Sequence, residues 1–247
     1  MDNLWESKNK LEKIANNYEN VLSSWRKLQR KIREKEFSIF SQHVFHYGSV
    51  MEIGLGDGVF TEKLAKRFEK VFAVDASKLT IEKVKEKLSN FKNVFFIESF
   101  IENLHFEGTV DNIVLSHLLE HLENPVEALK HLKSICHKDT ILYIIVPNAM
   151  SLHRQVAVKM GLLETPNSLN ENDLSFGHKR VYYPEEFKSD VLAAGFQIIK
   201  FGGSMLKPLT NKQIVETWSE EMIQGFIELG DDYPELCVDI YIIAKKG

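Results

Sequence analysis

The sequence predicts an α/β protein with a doubly wound, mainly parallel β-sheet, and three observations support this. Short runs rich in Val, Ile and Phe recur without polar alternation, as expected of strands buried on both faces. Amphipathic segments of helical period separate these runs. A turn with three alternating glycines, Gly54, Gly56 and Gly58, joins the first run to the first amphipathic segment. Strands that alternate with helices are typical of a parallel sheet covered on both faces.

The elements follow from residue 49 onward. Strands are predicted at 49–53, 71–74, 94–97, 112–115 and 140–146, with two closing strands at 196–201 and 238–244. Helices are predicted at 60–68 and 81–88, from Pro125 to about residue 135, and from Pro184 to about residue 195. Asn124 is the predicted N-cap of the third of these helices, with Pro125 in its first turn and Glu127 at the capping-box position.

Residues 1–45 are predicted to form an N-terminal helical cap, and residues 46–247 form the main domain. The cap carries apolar residues at helical spacing: Leu4, Leu11, Ile14, Tyr18, Leu22, Trp25 and Leu28. It also carries a basic cluster that is either a solvated helix face or a phosphate site: Arg26, Lys27, Arg30, Lys31 and Arg33. Two inserts, at about 150–180 and 203–236, are expected to shape a binding site. The second insert has a helical pattern around 214–227 and is a candidate dimer surface.

Composition is that of an ordinary globular protein, with 44% hydrophobic and 27% charged residues. The net charge of -4 gives no overall attraction to nucleic acid or to anionic membranes. No apolar run approaches the ~20 residues of a membrane span, and no secretory signal is visible. Cys136 and Cys237 lack a CxxC spacing and are expected to be reduced thiols. These features predict a cytoplasmic protein without a membrane span.

The glycine turn and the acid that follows it predict a ligand site. Glycines allow the backbone to approach a ligand closely. The dinucleotide fingerprint G-x-G-x-x-G would need glycine at Val59, so that match fails. Asp75 ends the second strand, at the sheet edge where ligands bind in doubly wound folds. It either accepts hydrogen bonds from ribose hydroxyls or caps the next helix.

Three segments resemble the class I S-adenosylmethionine (SAM) dependent methyltransferases. Residues 50–61 resemble motif I, Val-Phe-Ala-Val-Asp-Ala-Ser around Asp75 resembles the second motif, and residues 111–122 resemble the fourth motif and its downstream segment. The resemblance implies a Rossmann-like sheet of about seven strands and SAM as cofactor. The residues it implies for the cofactor are Glu52, Gly54, Gly56, Asp75, Ala76, Ser99, Phe100 and Ser116. Ser99 stands where the family usually has an acid that contacts the adenine edge.

His117, Glu120 and His121 follow the fourth strand at i, i+3 and i+4, and in a helical turn they would share one face. Three roles are open. Either histidine is a candidate general base, since His suits proton abstraction near neutral pH. The segment is alternatively structural and packs under the cofactor. No resident metal is assigned, but a candidate metal set is formed by these residues with His178. The segment resembles the Glu-x-x-Glu-His of ubiquinone-pathway and small-RNA 2'-O-methyltransferases, with His117 in place of the first Glu, which favours a softer metal over Mg²⁺.

The acceptor is expected to be a small polar molecule bearing sugar or phosphate groups. Candidate substrate-binding residues lie after the fifth strand and in the first insert: Asn148, His153, His178, Arg180 and Tyr182. The segment after the fifth strand resembles methyltransferases of glycan and capsule synthesis. The predicted function is therefore methyl transfer from SAM to a hydroxyl of a sugar, a nucleotide-sugar or a surface-glycan precursor. A metal-dependent RNA 2'-O-methyltransferase and a non-catalytic SAM-binding protein are the alternatives, and nucleic acid is disfavoured by the net charge.

Overall fold

The computed structural model describes residues 12–13 and 23–247. Seven strands form one sheet in this part of the chain, in the order β3-β2-β1-β4-β5-β7-β6. They are β1 Ser49–Ile53, β2 Lys70–Asp75, β3 Val94–Glu98, β4 Val110–Ser116, β5 Cys136–Pro147, β6 Phe196–Gly203 and β7 Asp239–Lys246. β7 runs antiparallel to both of its neighbours, whereas β1 to β5 pair in parallel. The predicted doubly wound sheet of about seven strands is confirmed.

Helices connect and cover these strands. They are α1 Ser23–Ser41, α2 Val59–Ala65, α3 Lys78–Lys87, α4 Pro125–Leu132, α5 Leu152–Lys159, α6 Glu171–Ser175, α7 Pro184–Ala193, α8 Asn211–Thr217 and α9 Glu220–Glu228. The predicted helix starts at Pro125 and Pro184 are confirmed. Asn124 precedes α4, but its side chain makes no capping hydrogen bond, so the predicted capping box is wrong. Proline alone fixes the start of this helix, since its ring presets the helical φ.

The core lies on both faces of the sheet, because the central strands are buried on each side. β5 is buried from Thr140 to Val146, and β4 is buried from Asn112 to Leu115. On one face, Phe40 of α1 stacks on Tyr143 of β5 with ring centroids 5.6 Å apart. This contact fixes α1 against the sheet and determines which of its side chains reach the sheet edge.

The N-terminal helix and the second insert cover one another. Leu28 and Ile32 of α1 form a buried apolar cluster with Ile214, Ile223 and Ile227 of α8 and α9. The insert therefore uses its apolar face within the chain, and the homodimer stays a prediction. Ser219 caps α9 by accepting a hydrogen bond from the Met222 N–H, which divides the helix predicted around 214–227 into two.

Residues 1–11 and 14–22 of the predicted cap lie outside the described residues, and with them its apolar positions 4, 11, 14, 18 and 22; the side chain of Trp25 is not described either. Among residues 12–13 and 23–247, no helix has the length and apolar character needed to cross a membrane.

Candidate active site

The glycine turn leaves the end of β1 with left-handed backbone at all three glycines. The φ angles of Gly54, Gly56 and Gly58 are 87°, 52° and 73°. A Cβ on Gly58 would come within 2.9 Å of Val84 in α3, so this turn packs tightly against the protein on one side. A Cβ on Gly56 would meet no described atom within 4 Å. The turn thus presents open backbone on its outer side, as a ligand cradle requires.

Asp75 at the end of β2 ties this turn to the second strand. Its Oδ2 accepts the Leu55 N–H at 2.9 Å, and its Oδ1 accepts the Ser77 N–H at 2.8 Å. Burial raises the pKa of Asp75, and these backbone bonds oppose the rise. Ser77, not Asp75, caps α3, since its hydroxyl accepts the Thr80 N–H. Each carboxylate oxygen keeps a second lone pair that can accept a hydrogen bond from a ligand hydroxyl.

Glu52 lies fully buried beneath the turn, in β1. Its Oε2 has no hydrogen-bond partner among the described residues. Burial raises the pKa of Glu52 to about 8. A buried carboxyl oxygen without a partner is costly, so a bound polar group at this point would stabilise the site.

The other predicted cofactor residues lie along the same edge. Ala76 and Ser99 are half-buried after β2 and β3, and the Ser99 hydroxyl donates to the carbonyl of the neighbouring Phe100. Ser116 ends β4. The ends of β3, β2, β1 and β4 lie side by side. The open glycine turn, the accepting carboxylate of Asp75 and the unpartnered Glu52 oxygen lie along this edge, and such a row of polar groups fits the extended, polar SAM molecule. Their roles remain predictions.

Arg33 of α1 reaches the end of β4, which the sequence did not predict. Its Nη1 donates to Ser116 Oγ at 2.7 Å and to Glu36 Oε2 at 2.9 Å. Glu36 is completely buried, and its Oε1 has no hydrogen-bond partner among the described residues. Helical spacing could have signalled this placement, because Arg33 and Glu36 share a face of α1 with the buried Phe37 and Phe40.

His117 has a φ of 54°, which is rare for a residue with a side chain. The helical turn covers only Leu119–His121, so the predicted single helical face for His117, Glu120 and His121 is wrong. The left-handed backbone still places the imidazole among acids. His117 Nδ1 is 3.4 Å from Glu120 Oε1, and its Nε2 is 3.9 Å from Glu36 Oε1 and 4.0 Å from Asp239 Oδ1.

These acids determine the protonation of His117. Burial and the charge of Arg33 act to lower its pKa, but Asp239, Glu120 and Glu36 outweigh them and raise it to about 9. His117 is therefore a cation at neutral pH and cannot accept a proton. Of the two histidines predicted as candidate bases, this charge disfavours His117.

His121 lies in a different environment. Burial lowers the pKa of His121, so its imidazole is neutral at pH 7. Its ring packs edge to face on His178, with centroids 4.9 Å apart. Both oxygens of the buried Glu120 lack hydrogen-bond partners among the described residues. This part of the site offers a neutral base next to a carboxylate that has the charged His117 beside Oε1 and no partner among the described residues at Oε2.

Among residues 12–13 and 23–247, two groups of side chains could hold a metal ion. Glu120, His121 and His178 bring ligand atoms within 4.8 Å of one another, and Glu36, His117 and Asp239 do the same. The predicted set of four is thus divided, with His117 in the second group.

His178 and His153 lie beside charged groups of the first insert. His178 Nδ1 is 3.4 Å from Asp173 Oδ1, and the other Asp173 oxygen accepts from Arg154 at 3.0 Å. Burial first, and then Lys207 and Arg154, lower the pKa of His153 to about 2, so this imidazole stays neutral.

Three predicted acceptor-binding residues make hydrogen bonds within the protein, and their role toward an acceptor stays a prediction. Asn148 is buried and donates to the carbonyls of Glu235 and Cys237 at 2.8 Å, which joins the ends of β5 and β7. Tyr182 is 2% exposed, and its hydroxyl donates to Asp190 at 3.1 Å. Arg180 donates to the Glu123 carbonyl at 3.1 Å. In this arrangement the Asn148 amide and the Tyr182 hydroxyl donate their hydrogen bonds to other parts of the protein and so stabilise the fold.

Comparison with known proteins identifies the family. A family model described as a methyltransferase domain matches residues 23–200. Malonyl-[acyl-carrier protein] O-methyltransferase 1 of Ilyobacter polytropus is 31% identical over 99 residues, which cover 37% of each chain. Ribosomal RNA small subunit methyltransferase A of Caldanaerobacter subterraneus is 33% identical over 85 residues, or 31% of each chain. The chain spans only about a third to two fifths of the length of the curated relatives it matches.

Solved structures share the fold over most of the chain. The plantazolicin methyltransferase BamL, in complex with a triazolic desmethylPZN analog and S-adenosylhomocysteine (SAH), superposes with a TM-score of 0.61 at 19% identity. The match covers 95% of this chain and 90% of that one.

Proposed function

This chain belongs to the methyltransferase-domain family, and we propose that it transfers a methyl group from SAM to a hydroxyl of a small, hydrogen-bond-donating acceptor. The predicted enzyme class, a SAM-dependent methyltransferase, and the predicted cofactor are confirmed by the family match over residues 23–200. The identity of the acceptor and the roles of individual residues are the proposed part.

The proposed cofactor site is the glycine turn with Glu52, Asp75, Ser99 and Ser116. Asp75 would accept the ribose hydroxyls, because its Oδ2 contacts the turn at Leu55 and each of its oxygens keeps an accepting lone pair. When bound, SAM supplies a methyl group that its positively charged sulfur makes electrophilic. The protein then has to align the acceptor and remove its proton.

One observation carries the choice of acceptor: buried carboxylate oxygens without partners lie beyond the end of β4. They are Glu36 Oε1 and both Glu120 oxygens, which accept no hydrogen bond of normal geometry from the described residues. The charged His117 ring forms ion pairs with Glu36 Oε1 and Glu120 Oε1, at 3.9 and 3.4 Å, which leaves Glu120 Oε2 without a partner among those residues. Such oxygens need donors, which the hydroxyl groups of a sugar or another polyol would supply. A carboxylate acceptor would bring a second negative charge beside them. This chemistry favours a sugar-type acceptor over the malonyl group named in the relative from Ilyobacter.

His121 is the proposed general base. It is neutral at pH 7, and it lies next to Glu120, which would orient the acceptor and stabilise the imidazolium that proton transfer creates. His117 would not act as the base, since it is already protonated. His178 would border the acceptor from the first insert.

A second candidate is a metal-dependent methyltransferase with RNA as acceptor. The convergence of Glu120, His121 and His178 favours it, because these three can offer ligand atoms within 4.8 Å. Asp173 would hold the His178 ring through Nδ1 and leave Nε2 for the ion, as is usual for metal-binding histidines. The net charge of -4 speaks against RNA.

The test is a methyl-transfer assay with labelled SAM and three acceptor panels, each with and without EDTA. The panels are sugars and nucleotide-sugars, malonyl thioesters, and RNA. Label in the first panel alone, unaffected by EDTA, is expected. Label in malonyl thioesters would overturn the choice of acceptor. EDTA-sensitive label in RNA would establish the second candidate.

A further inference from the structure

Lys207 is a buried lysine in the segment between β6 and α8. This segment is held against the start of β7, where the Ser204 N–H donates to the Asp239 carbonyl at 3.1 Å. Lys207 is only 7% exposed. Because a lysine is almost never buried to this extent unless it is paired, its ammonium group needs a partner of negative charge.

The Lys207 ammonium lacks such a partner, since no carboxylate oxygen of residues 12–13 and 23–247 lies within 4.0 Å of it. Its one described hydrogen bond is donated to the neutral side-chain amide of Asn211, at 2.9 Å. Burial lowers the pKa of Lys207 to about 8 against the opposing charge of Asp239, so the group is still mainly a cation at pH 7. Asp239 is itself shared, because its Oδ1 is 4.0 Å from the protonated His117. The ammonium therefore keeps N–H donors and a charge that is only partly compensated.

His153 of α5 adjoins this lysine. The His153 N–H donates to the Lys207 carbonyl at 3.2 Å, and the charges of Lys207 and Arg154 join burial in keeping the imidazole neutral. Nδ1 of that ring is buried and has no hydrogen-bond partner among the described residues. Arg154 adds positive charge, while each of its guanidinium nitrogens already donates within the first insert, to Asp173 and to two backbone carbonyls. The two inserts thus meet at a buried, positively charged place with an unused imidazole nitrogen.

This arrangement suits an anionic ligand. Of the acids beyond β4 in the described chain, Asp239 is the one whose charge acts on Lys207. The place is therefore distinct from the Glu36 and Glu120 oxygens that are proposed to bind hydroxyl groups. A phosphate fits it well, because lysine binds phosphate as a point charge and the phosphate oxygens accept hydrogen bonds from several directions.

We propose that Lys207 and His153 bind a phosphate group of the acceptor, so that the acceptor is a sugar or polyol that carries a phosphate. This rests on the proposed function, since the hydroxyl groups of the same molecule would bind Glu120 and donate a proton to His121. The Lys207 ammonium would supply charge and N–H donors, and His153 would add a donor through Nδ1 in the tautomer protonated there. The site would then discriminate a phosphorylated acceptor from the free sugar.

The experiment is calorimetric titration of the SAH-saturated protein with inorganic phosphate, and with malonate as the carboxylate probe. Three proteins are compared: the unaltered chain, Lys207→Met and the control Lys85→Met, which changes an exposed lysine of α3. We expect Lys207→Met to weaken phosphate binding by at least about tenfold, as for lost hydrogen bonds to a charged group. Its SAH affinity should stay within about twofold. Lys85→Met should change neither affinity, and malonate should bind the unaltered chain at least about tenfold more weakly than phosphate does.

Two further variants separate ligand binding from a structural role. Lys207→Arg keeps the charge and should keep the phosphate affinity within about threefold. His153→Phe keeps a ring without nitrogen and should weaken phosphate binding by about 2- to 10-fold. The urea midpoint of Lys207→Met should not fall, because the substitution removes a buried charge that has no ion pair among the described residues.

Other results would overturn the assignment. Absence of phosphate binding by the SAH-bound unaltered chain, or unchanged phosphate binding by Lys207→Met, would eliminate the phosphate site and leave the proposed methyl transfer standing. Malonate binding as tight as that of phosphate would assign the site to a carboxylate. A large loss of SAH affinity in Lys207→Met would assign the lysine to the cofactor, and a lower urea midpoint would assign it to the fold. Absence of SAH binding by the unaltered chain, with unfolding still cooperative, would overturn the proposed function itself.

Discussion

The imidazoles of His121 and His178 meet edge to face, with ring centroids 4.9 Å apart and planes at 80°. They come from segments more than fifty positions apart in the sequence, one after β4 and one in the first insert. The contact keeps the first insert beside the end of β4 and holds the His121 ring in one orientation. A base must be fixed in this way to be effective.

The first prediction concerns His121. His121→Gln should lower kcat by about 10²- to 10⁴-fold, the usual loss when a general base is removed. The SAH affinity measured by calorimetry should remain within about threefold, because the proposed cofactor site does not include this ring. His105→Gln, a change of an exposed histidine, is the matched control and should leave both quantities unchanged. Equal losses in turnover and affinity would show a structural role for His121.

The pH dependence of kcat/KM separates the two histidines. The pKa of His121 is lowered by burial, so the rising limb of the profile should lie below pH 6.5. If His117 were the base, the limb would lie near pH 9. A limb near pH 9 would therefore contradict the assignment of His121.

The second prediction concerns Asp75. Asp75→Ala should abolish SAH binding in calorimetry, because it removes the proposed acceptor of the ribose hydroxyls. Ser77→Ala is the control for local damage, since it removes the helix cap beside Asp75 and should cost about 1 kcal/mol of stability. SAH affinity should survive that change. Unaltered SAH binding by a folded Asp75→Ala protein would disprove the ribose role.

The third prediction concerns the charge of His117 and the stability of the fold. Its pKa rises from 6.5 to about 9 on folding, so its stabilising effect is complete below pH 6.5 and is lost as pH passes 9. His117→Asn suits the left-handed backbone and replaces the charged ring by a neutral polar group. The variant should be less stable than the unaltered protein by at most about 3 kcal/mol at pH 6. The difference should shrink toward pH 9.5.

Urea unfolding of both proteins across this pH range measures that difference. Taking the difference at each pH removes the titration of groups that do not interact with His117. A difference that is independent of pH would show that His117 is not charged by folding. His105→Asn should give no difference at any pH.

The strands and the glycine turn could be predicted because their signals are local. Buried runs of Val and Ile specify strands, and glycine adopts the φ angles of 87° and 73° at Gly54 and Gly58 without the steric cost of a Cβ. The helix starts at Pro125 and Pro184 are local in the same way. Predicting these features does not require knowing which distant segments of the chain contact one another.

The cluster of Arg33, Glu36, Ser116, His117 and Asp239 beyond β4, called the polar chamber below, could not be predicted, because it depends on contacts between distant segments. Arg33 and Ser116 are separated by 83 positions, and nothing near Arg33 in the chain indicates that partner. Asp239 reaches the chamber only because β7 runs antiparallel and begins at the edge where β4 ends. The left-handed backbone at His117 has no sequence signal either, since tertiary packing imposes it.

The reversal of β7 also bears on how the chain reaches its active form. This strand inserts between β5 and β6, so a strand formed last in the sequence occupies an interior place in the sheet. Until it is added, β5 has an open edge that could pair with another chain. Asp239, at the start of β7, is likewise absent from the polar chamber until this strand has joined the sheet. Residues 239–246 must therefore be synthesised before Asp239 can approach His117, and contacts between segments this far apart in sequence form slowly.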